Sequence, residues 1–390
     1  LTCYKPLETL VRCLCLLVFV MLVVSASGAR AQALPPCHER PTQVETPLVD
    51  ITRFCVEVVV DHPEGGRLGY SALAFSPDGT LYATRPLLGE VVALRDCDGD
   101  GLQETVEPVA RGLTLPNGLL YHDGALYITG GPHLYRWRDG ELDVLVDDLP
   151  AGAGFWTGSP ALGPDNRLYI GTGAPCDFCR PDGERGAILS FALDGSDRQL
   201  VATGLRHPAA VALAHGALWT VDTASRSFSA EPDLDELNHV EAGAHYGWPF
   251  CVGARNRAAL PGGFDCTQAT GPALTFPTHS SPVGLAAYDG SAFPSLQGSL
   301  LVVLHGSNNE AHMQGFALAA VTFDPTGAPS GYQVFVPGQS PDDRPQFSLQ
   351  RLNFRNSGIW PRRPLGIAVS PEGWIYFSVS DGRILALRPR

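Results

Sequence analysis

Short apolar strands recur along the chain, each followed by a tight polar turn and a second strand. The copies read ALAFSPDGTLYAT (72–84), GLLYHDGALYIT (118–129), PALGPDNRLYIG (160–171), AVALAHGALWTV (210–221), GLAAYDGSAFPSLQGSLLVVLHG (284–306) and GIAVSPEGWIYFS (366–378). Most continue into a third apolar run: GEVVALR (89–95), HLYRWR (133–138), GAILSFAL (186–193), GFALAAVTF (315–323) and GRILALR (382–388). Asp-Gly at a turn admits positive φ and joins antiparallel strands tightly. The strands alternate or run continuously apolar, as strands do in sheets stacked face to face. One such sheet cannot bury both faces alone, whereas several packed radially can.

The turn positions Gly79, Gly124, Asn166 and Gly216 lie 45, 42 and 50 residues apart, a normal blade length. Later gaps are longer, with an insertion near 226–275 that belongs with the fifth copy. The pattern predicts an all-β chain, a six-bladed β-propeller with a three-strand grammar in each copy. Residues 34–390 form its single domain, and FCVEVVV (54–60) pairs with the C-terminal strand to close the ring. A β-sandwich of hairpins is the competing architecture; six copies of one grammar favour the propeller. No helix of normal length is predicted.

Residues 1–33 read as a secretory signal peptide. Lys5 and Arg12 precede an apolar run from Leu14 to Val24, and Ala29-Arg30-Ala31 and Ala31-Gln32-Ala33 offer small-x-small cleavage sites. The run is shorter than a membrane span requires. The expectation is an exported protein, periplasmic or extracellular, with no membrane span. Cleavage removes Lys5, Arg12, Arg30 and Glu8, moving the formal net charge from −13 to −15. So acidic a protein is a poor partner for nucleic acid or anionic lipid. Of the ten cysteines, seven follow the signal, and export permits disulfides. Cys176/Cys179 and Cys251/Cys266 are the nearest pairs, Cys37/Cys55 would tie the mature N-terminus to the first strand, and Cys97 is left over. Sequence alone leaves the connectivity open.

One acidic turn has calcium-loop spacing: Asp96, Asp98 and Asp100 before Gly101, with Glu104 and Glu107 beyond. A structural calcium site and a solvated acidic turn are equal readings.

GLRHPAAVALAHGALWTVD (204–222), DELNHVEAGAHYGWPFC (235–251), HSSPVGLAAYDGSAFP (279–294), LVVLHGSN (301–308) and RRPLGIAVSPEGWIYFS (362–378) together resemble the PQQ-dependent glucose/sorbosone dehydrogenase-like family. APCDFC (174–179) resembles the Cys-x-x-Cys loop of its sorbosone branch. The resemblance implies a six-bladed propeller that binds pyrroloquinoline quinone (PQQ) and calcium near its axis and oxidises a sugar, passing electrons to an acceptor. It implies that Arg206 and Arg363 meet the cofactor's carboxylates, where guanidinium offers fixed bidentate donors. His207 and His305 adjoin the cofactor, and backbone carbonyls of Ala224 and Ser225 ligate calcium. His279 shares the fifth-blade motifs.

The departures fall on the chemistry. Phe155 stands where the family has its catalytic histidine, and a phenyl ring cannot take a hydroxyl proton. Ala174 replaces the acid that orients that histidine in the glucose branch. His207 replaces an asparagine, Gly158 an arginine, and Glu310 another arginine. Three functions compete. The first is an exported quinoprotein oxidoreductase for sugars or related alcohols, with His207, His279 or His305 as a substitute base. The second is a degenerate propeller that binds a ligand or protein without catalysis. A metal-dependent propeller hydrolase ranks last, because acidic residues do not cluster at the blade starts.

Overall fold

A computed structural model of the chain describes residues 39–40, 54–61, 69–97, 101–103, 105–225, 234–252, 257–258, 264–307, 315–336, 363–380 and 382–389. Residues 1–33, expected to be a signal peptide, and Cys37, Asp98, Asp100, Glu104 and Glu310 lie outside the described residues. The chain folds as a six-bladed β-propeller and is nearly all β. Blade 1 comprises Leu73–Phe75, Leu81–Arg85, Glu90–Arg95 and Thr105–Arg111. Blade 2 comprises Pro116–His122, Ala125–Gly130, His133–Arg138 and Glu141–Val146. Blade 3 holds Ala161–Leu162, Leu168–Thr172, Ala187–Phe191 and Gln199–Ala202; blade 4 holds Val211–Ala214, Ala217–Asp222, Asp235–His239 and Leu274–Phe276. Blade 5 holds Pro282–Tyr288, Ser299–Leu304, Ala317–Phe323 and Pro329–Val336. Blade 6 takes Pro364–Val369, Ile375–Val379 and Arg383–Pro389, and its fourth strand is Phe54–Asp61.

The core consists of six wedges, one between each pair of consecutive blades. This explains the continuous apolar runs. In blade 5, Leu300, Val302 and Leu304 face blade 4, while Leu301 and Val303 face blade 6. Side chains alternate across a strand, so a strand buried on both faces loses its polar positions. Each blade has four strands, against the three-strand grammar of the sequence. In blade 2 the fourth is exposed over much of its length: four of the six residues of Glu141–Val146 face water. Such a strand lacks the apolar signal. The turns behave as expected, with φ of 86° at Gly79, 75° at Gly124, 60° at Asn166 and 74° at Gly216.

Ring closure also follows the sequence. Phe54–Asp61 pairs antiparallel with Arg383–Pro389, with Phe54 opposite Pro389 and Asp61 opposite Arg383. Glu57, fully buried on this strand, is held by Arg40 Nε at 2.9 Å and Arg388 Nη1 at 2.8 Å. Arg388 also lies over the Trp374 ring at 4.4 Å and donates to the Gly101 carbonyl. Gly101 is thereby held against blade 6. Within the acidic turn, Asp96 Oδ2 accepts from Gly101 N at 2.6 Å, and Glu107 pairs with Arg95 at 2.7 Å.

Cys176 pairs with Cys179 and Cys251 with Cys266. Two expectations are corrected. The Cys251–Cys266 insertion lies between the third and fourth strands of blade 4, not in blade 5. Cys97, the residue left over, is disulfide-bonded, as is Cys55.

Candidate functional site

The first strands of all six blades surround a central channel of about 820 Å³. Segments entering a first strand and segments leaving a second strand meet at the same end of it. That end carries Gly154 to Thr157, Arg206 and His207, Thr223 and Ala224, His279 and Ser281, and His305 and Gly306. Arg206 is the single charged side chain among the described residues of the wall. Aliphatic side chains such as Leu73, Leu119, Val211, Val283 and Ile367 line the rest.

Phe155, Ala174 and Arg206 are joined through the backbone. Phe155 N donates to Ala174 O at 2.9 Å, and Ala174 N donates to Arg206 O at 2.8 Å. Gly171 makes this junction possible, since a Cβ there would lie 1.9 Å from Pro208 O. Arg185 braces the junction from behind, donating to Gly173 O at 2.5 Å and Ala153 O at 2.8 Å. The Phe155 ring lies 4.1 Å from the Arg206 guanidinium carbon and stacks on the His207 imidazole at 4.8 Å.

Arg206 is 3% exposed, and its donors are largely used within the protein. Nη1 donates to Thr223 O at 3.0 Å and Thr223 Oγ1 at 2.7 Å, and Nε to Asp177 O at 3.1 Å. Nη2 donates to Asp177 Oδ1. Arg363 is outside the channel wall. Its Nη1 and Nη2 donate to the carbonyls of Gly306 and Ser307, each at 2.9 Å, and it lies 5.1 Å from the Phe316 ring. It thus clamps the loop that carries His305.

His305 Nδ1 lies 3.0 Å from Pro364 O. A carbonyl only accepts, so Nδ1 carries the proton and Nε2 is the acceptor nitrogen of the neutral ring. Burial pushes its pKa down to about 4, and Arg363 adds to this against the Pro364 hydrogen bond. Burial likewise pushes His207 down to about 3, with repulsion from Arg206 and His305. Both residues are half-buried on the channel wall, and the surrounding protein desolvates their rings. Both imidazoles are neutral at pH 7. His279 lines the channel with φ of 66°.

Three carboxylates missed in the sequence organise the mouth. Asp222 accepts from Arg206 N at 2.9 Å and His207 N at 2.5 Å. Burial pushes its pKa up to about 7, helped by Glu236 and opposed by those two N–H groups. Asp235 accepts from Ala224 N at 2.7 Å and Ser281 N at 2.6 Å, joining blade 4 to the entry of blade 5. Asp177 holds Arg206. Its one sequence signal is its place within the Cys176–Cys179 loop. Ala224 borders the channel and Ser225 is buried behind it. Among the described residues, no three His, Cys, Asp or Glu side chains converge as a metal site.

The two disulfide loops flank this mouth. Arg180 lies 5.5 Å from the Phe250 ring, and Trp248 packs beside Gly186, whose backbone N–H and C=O pair with Thr172 and Leu205.

Residues 158–309 match the Glucose / Sorbosone dehydrogenase family, and residues 364–387 match the N-terminal part of the strictosidine synthase-like family. No curated protein matches the sequence. Among solved structures, a calcium structure of a Trichoderma reesei carbohydrate-active enzyme of family AA12 is similar at TM-score 0.67 and 18% identity. It covers 90% of this chain and 98% of its own. The holo PQQ domain of a pyranose dehydrogenase from Coprinopsis cinerea is similar at TM-score 0.67 and 15% identity, over 86% and 95% of the two chains. The PQQ-bound aldose sugar dehydrogenase from Streptomyces coelicolor follows at 0.56 and 18%, over 87% and 99%. Likeness at such identity establishes the fold, while the match over 158–309 carries the family signature. The chain therefore resembles the PQQ-dependent glucose/sorbosone dehydrogenase-like family, on a six-bladed β-propeller.

Proposed function

We infer that this propeller is an exported quinoprotein-type oxidoreductase for sugars or related alcohols. The observation that carries the inference is His305, an imidazole oriented by Pro364 O on the same channel wall as Arg206. The fit to PQQ is supported by the channel volume and by a wall whose described residues include no Asp, Glu or Lys. The stacked rings of Phe155 and His207 add an aromatic surface. Arg206 would hold a carboxylate of PQQ, with His207 beside it and Arg363 behind the His305 loop. The carbonyls of Ala224 and Ser225 would hold calcium. When bound, the quinone supplies the hydride acceptor.

The chain's own residues do the rest. His305 accepts the substrate hydroxyl proton at Nε2, because burial keeps the ring neutral and Pro364 fixes its tautomer. His207 and His279 are the neighbouring alternatives. Asp222 and Asp235 fix the loops that carry His207 and Ala224. Export is supported by the disulfides, among them Cys176–Cys179 and Cys251–Cys266, which belong in an oxidising compartment.

The test is steady-state dye reduction by the purified protein with PQQ, calcium and a panel of aldoses. His305→Gln is expected to lower kcat by about 10²–10⁴-fold, the usual contribution of a positioned base. Unchanged kcat would remove His305 from the reaction. A second reading, a non-catalytic binding propeller, draws on Phe155 lying against Arg206 and on the Asp177 pair. Quinone binding without turnover in any variant would favour it.

A further inference from the structure

The pairing of Arg206 with Asp177 has a property that an ordinary structural ion pair lacks. Arg206 belongs to the channel wall and is almost fully buried, whereas the Asp177 side chain is 35% exposed. Thr223, the other partner of Arg206, stands directly after a blade strand and is 7% exposed. Asp177 comes from the short Cys176–Cys179 loop outside the sheets. Its second oxygen, Oδ2, accepts from Ser225 Oγ at 3.5 Å. A buried guanidinium requires an anion, and it does not distinguish an internal carboxylate from an external one. The face of Arg206 is covered by Phe155 at 4.1 Å, so exchange takes place at the edge that Asp177 holds.

The geometry points to Asp177 as an internal carboxylate that occupies Arg206 until an anionic ligand displaces it. The Cys176–Cys179 disulfide ties it there and so sets the affinity of the channel for anions. The inference rests on reading the channel mouth as a ligand site, but it does not require the ligand to be a quinone. Any planar carboxylate entering beside Phe155 and His207 must replace Asp177, and the loop must then move outward.

The probes are PQQ and benzene-1,3,5-tricarboxylate, titrated calorimetrically into the full chain at fixed ionic strength. Asp177→Asn keeps an acceptor oxygen for Nη2 and removes the competing charge. It is expected to tighten both probes about 10- to 100-fold, the scale of one charge-assisted hydrogen bond. The gain is expected to vanish when Arg206→Gln is added. Cys176→Ser with Cys179→Ser keeps Asp177 but frees its loop, and is expected to tighten both probes by a smaller factor. It also carries the test if Asp177→Asn does not fold. Gain for the tricarboxylate with no PQQ binding in any protein would uphold the inference and end the quinone reading. PQQ binding equally to native protein and Asp177→Asn would overturn the inference and leave the quinone reading intact. Absence of binding by either anion to every variant would overturn it as well.

Discussion

The neutral His305 makes the pH response of this protein specific. Its pKa falls from the ordinary 6.5 to about 4. A shift of that size biases the ring toward neutrality by about 3 kcal/mol. The sign is fixed by linkage. Above pH 6.5 the ring is neutral in folded and unfolded chains alike. Between pH 6.5 and about 4 the unfolded chain takes up a proton that the folded chain refuses, so stability falls as pH falls. Below about 4 the loss is complete. A base that titrates at about 4 also leaves its acid limb in kcat near pH 4, where an ordinary imidazole would place it near 6.5. The assay pairs urea unfolding at pH 7 and pH 5 with a kcat profile from pH 4 to 8, on native protein and His305→Gln. The native protein is expected to lose on the order of 2 kcal/mol more than the variant between pH 7 and 5. An acid limb near 6.5, or identical acid sensitivity in the two proteins, would refute the reasoning.

Four further outcomes are expected. Glu57→Gln leaves two buried guanidinium groups without their anion and should cost about 3–5 kcal/mol in urea unfolding; a loss under about 1 kcal/mol would show that the network is not what holds the ring. Cys251→Ser with Cys266→Ser opens a loop with sequence separation 15 and should cost about 3 kcal/mol in the same assay. Phe155→His places an imidazole against Arg206, where the cation holds it neutral and no acid orients it, so dye reduction should rise by less than the ~10²–10⁴-fold of a positioned base. Adding Ala174→Asp buries a carboxylate at a fully enclosed position, and thermal melting should show the double variant less stable than Phe155→His alone.

The six blades are legible in the sequence because their inner three strands are buried on both faces, as the blade 5 run Ser299–Leu304 shows. The outer strands of blades 2 and 3 are not, because much of Glu141–Val146 and Gln199–Ala202 faces water and carries no clear period. That Phe155, Ala174 and Arg206 share one neighbourhood is implied by the family resemblance and by no local pattern, and the structure joins them through backbone hydrogen bonds. Their electrostatic partners are a different matter. Asp177, Asp222 and Asp235 act across loops that meet only when blades 3, 4 and 5 pack, and no local pattern announces which carboxylate will turn inward. The insertion reads as part of blade 5 in the sequence because its length hides the short three-residue strand Leu274–Phe276 that completes blade 4.

Pairing Phe54–Asp61 with Arg383–Pro389 gives the protein a time order as well as a shape. Nearly the whole chain separates the two strands, so during synthesis the first of them waits, with the apolar side chains of Val56, Val59 and Val60 unburied. Until Arg383–Pro389 arrives, the assembly is an open arc with two raw edges and an unsealed axis. The nascent polypeptide therefore cannot lock into its ring while the strand that seals it is still unmade.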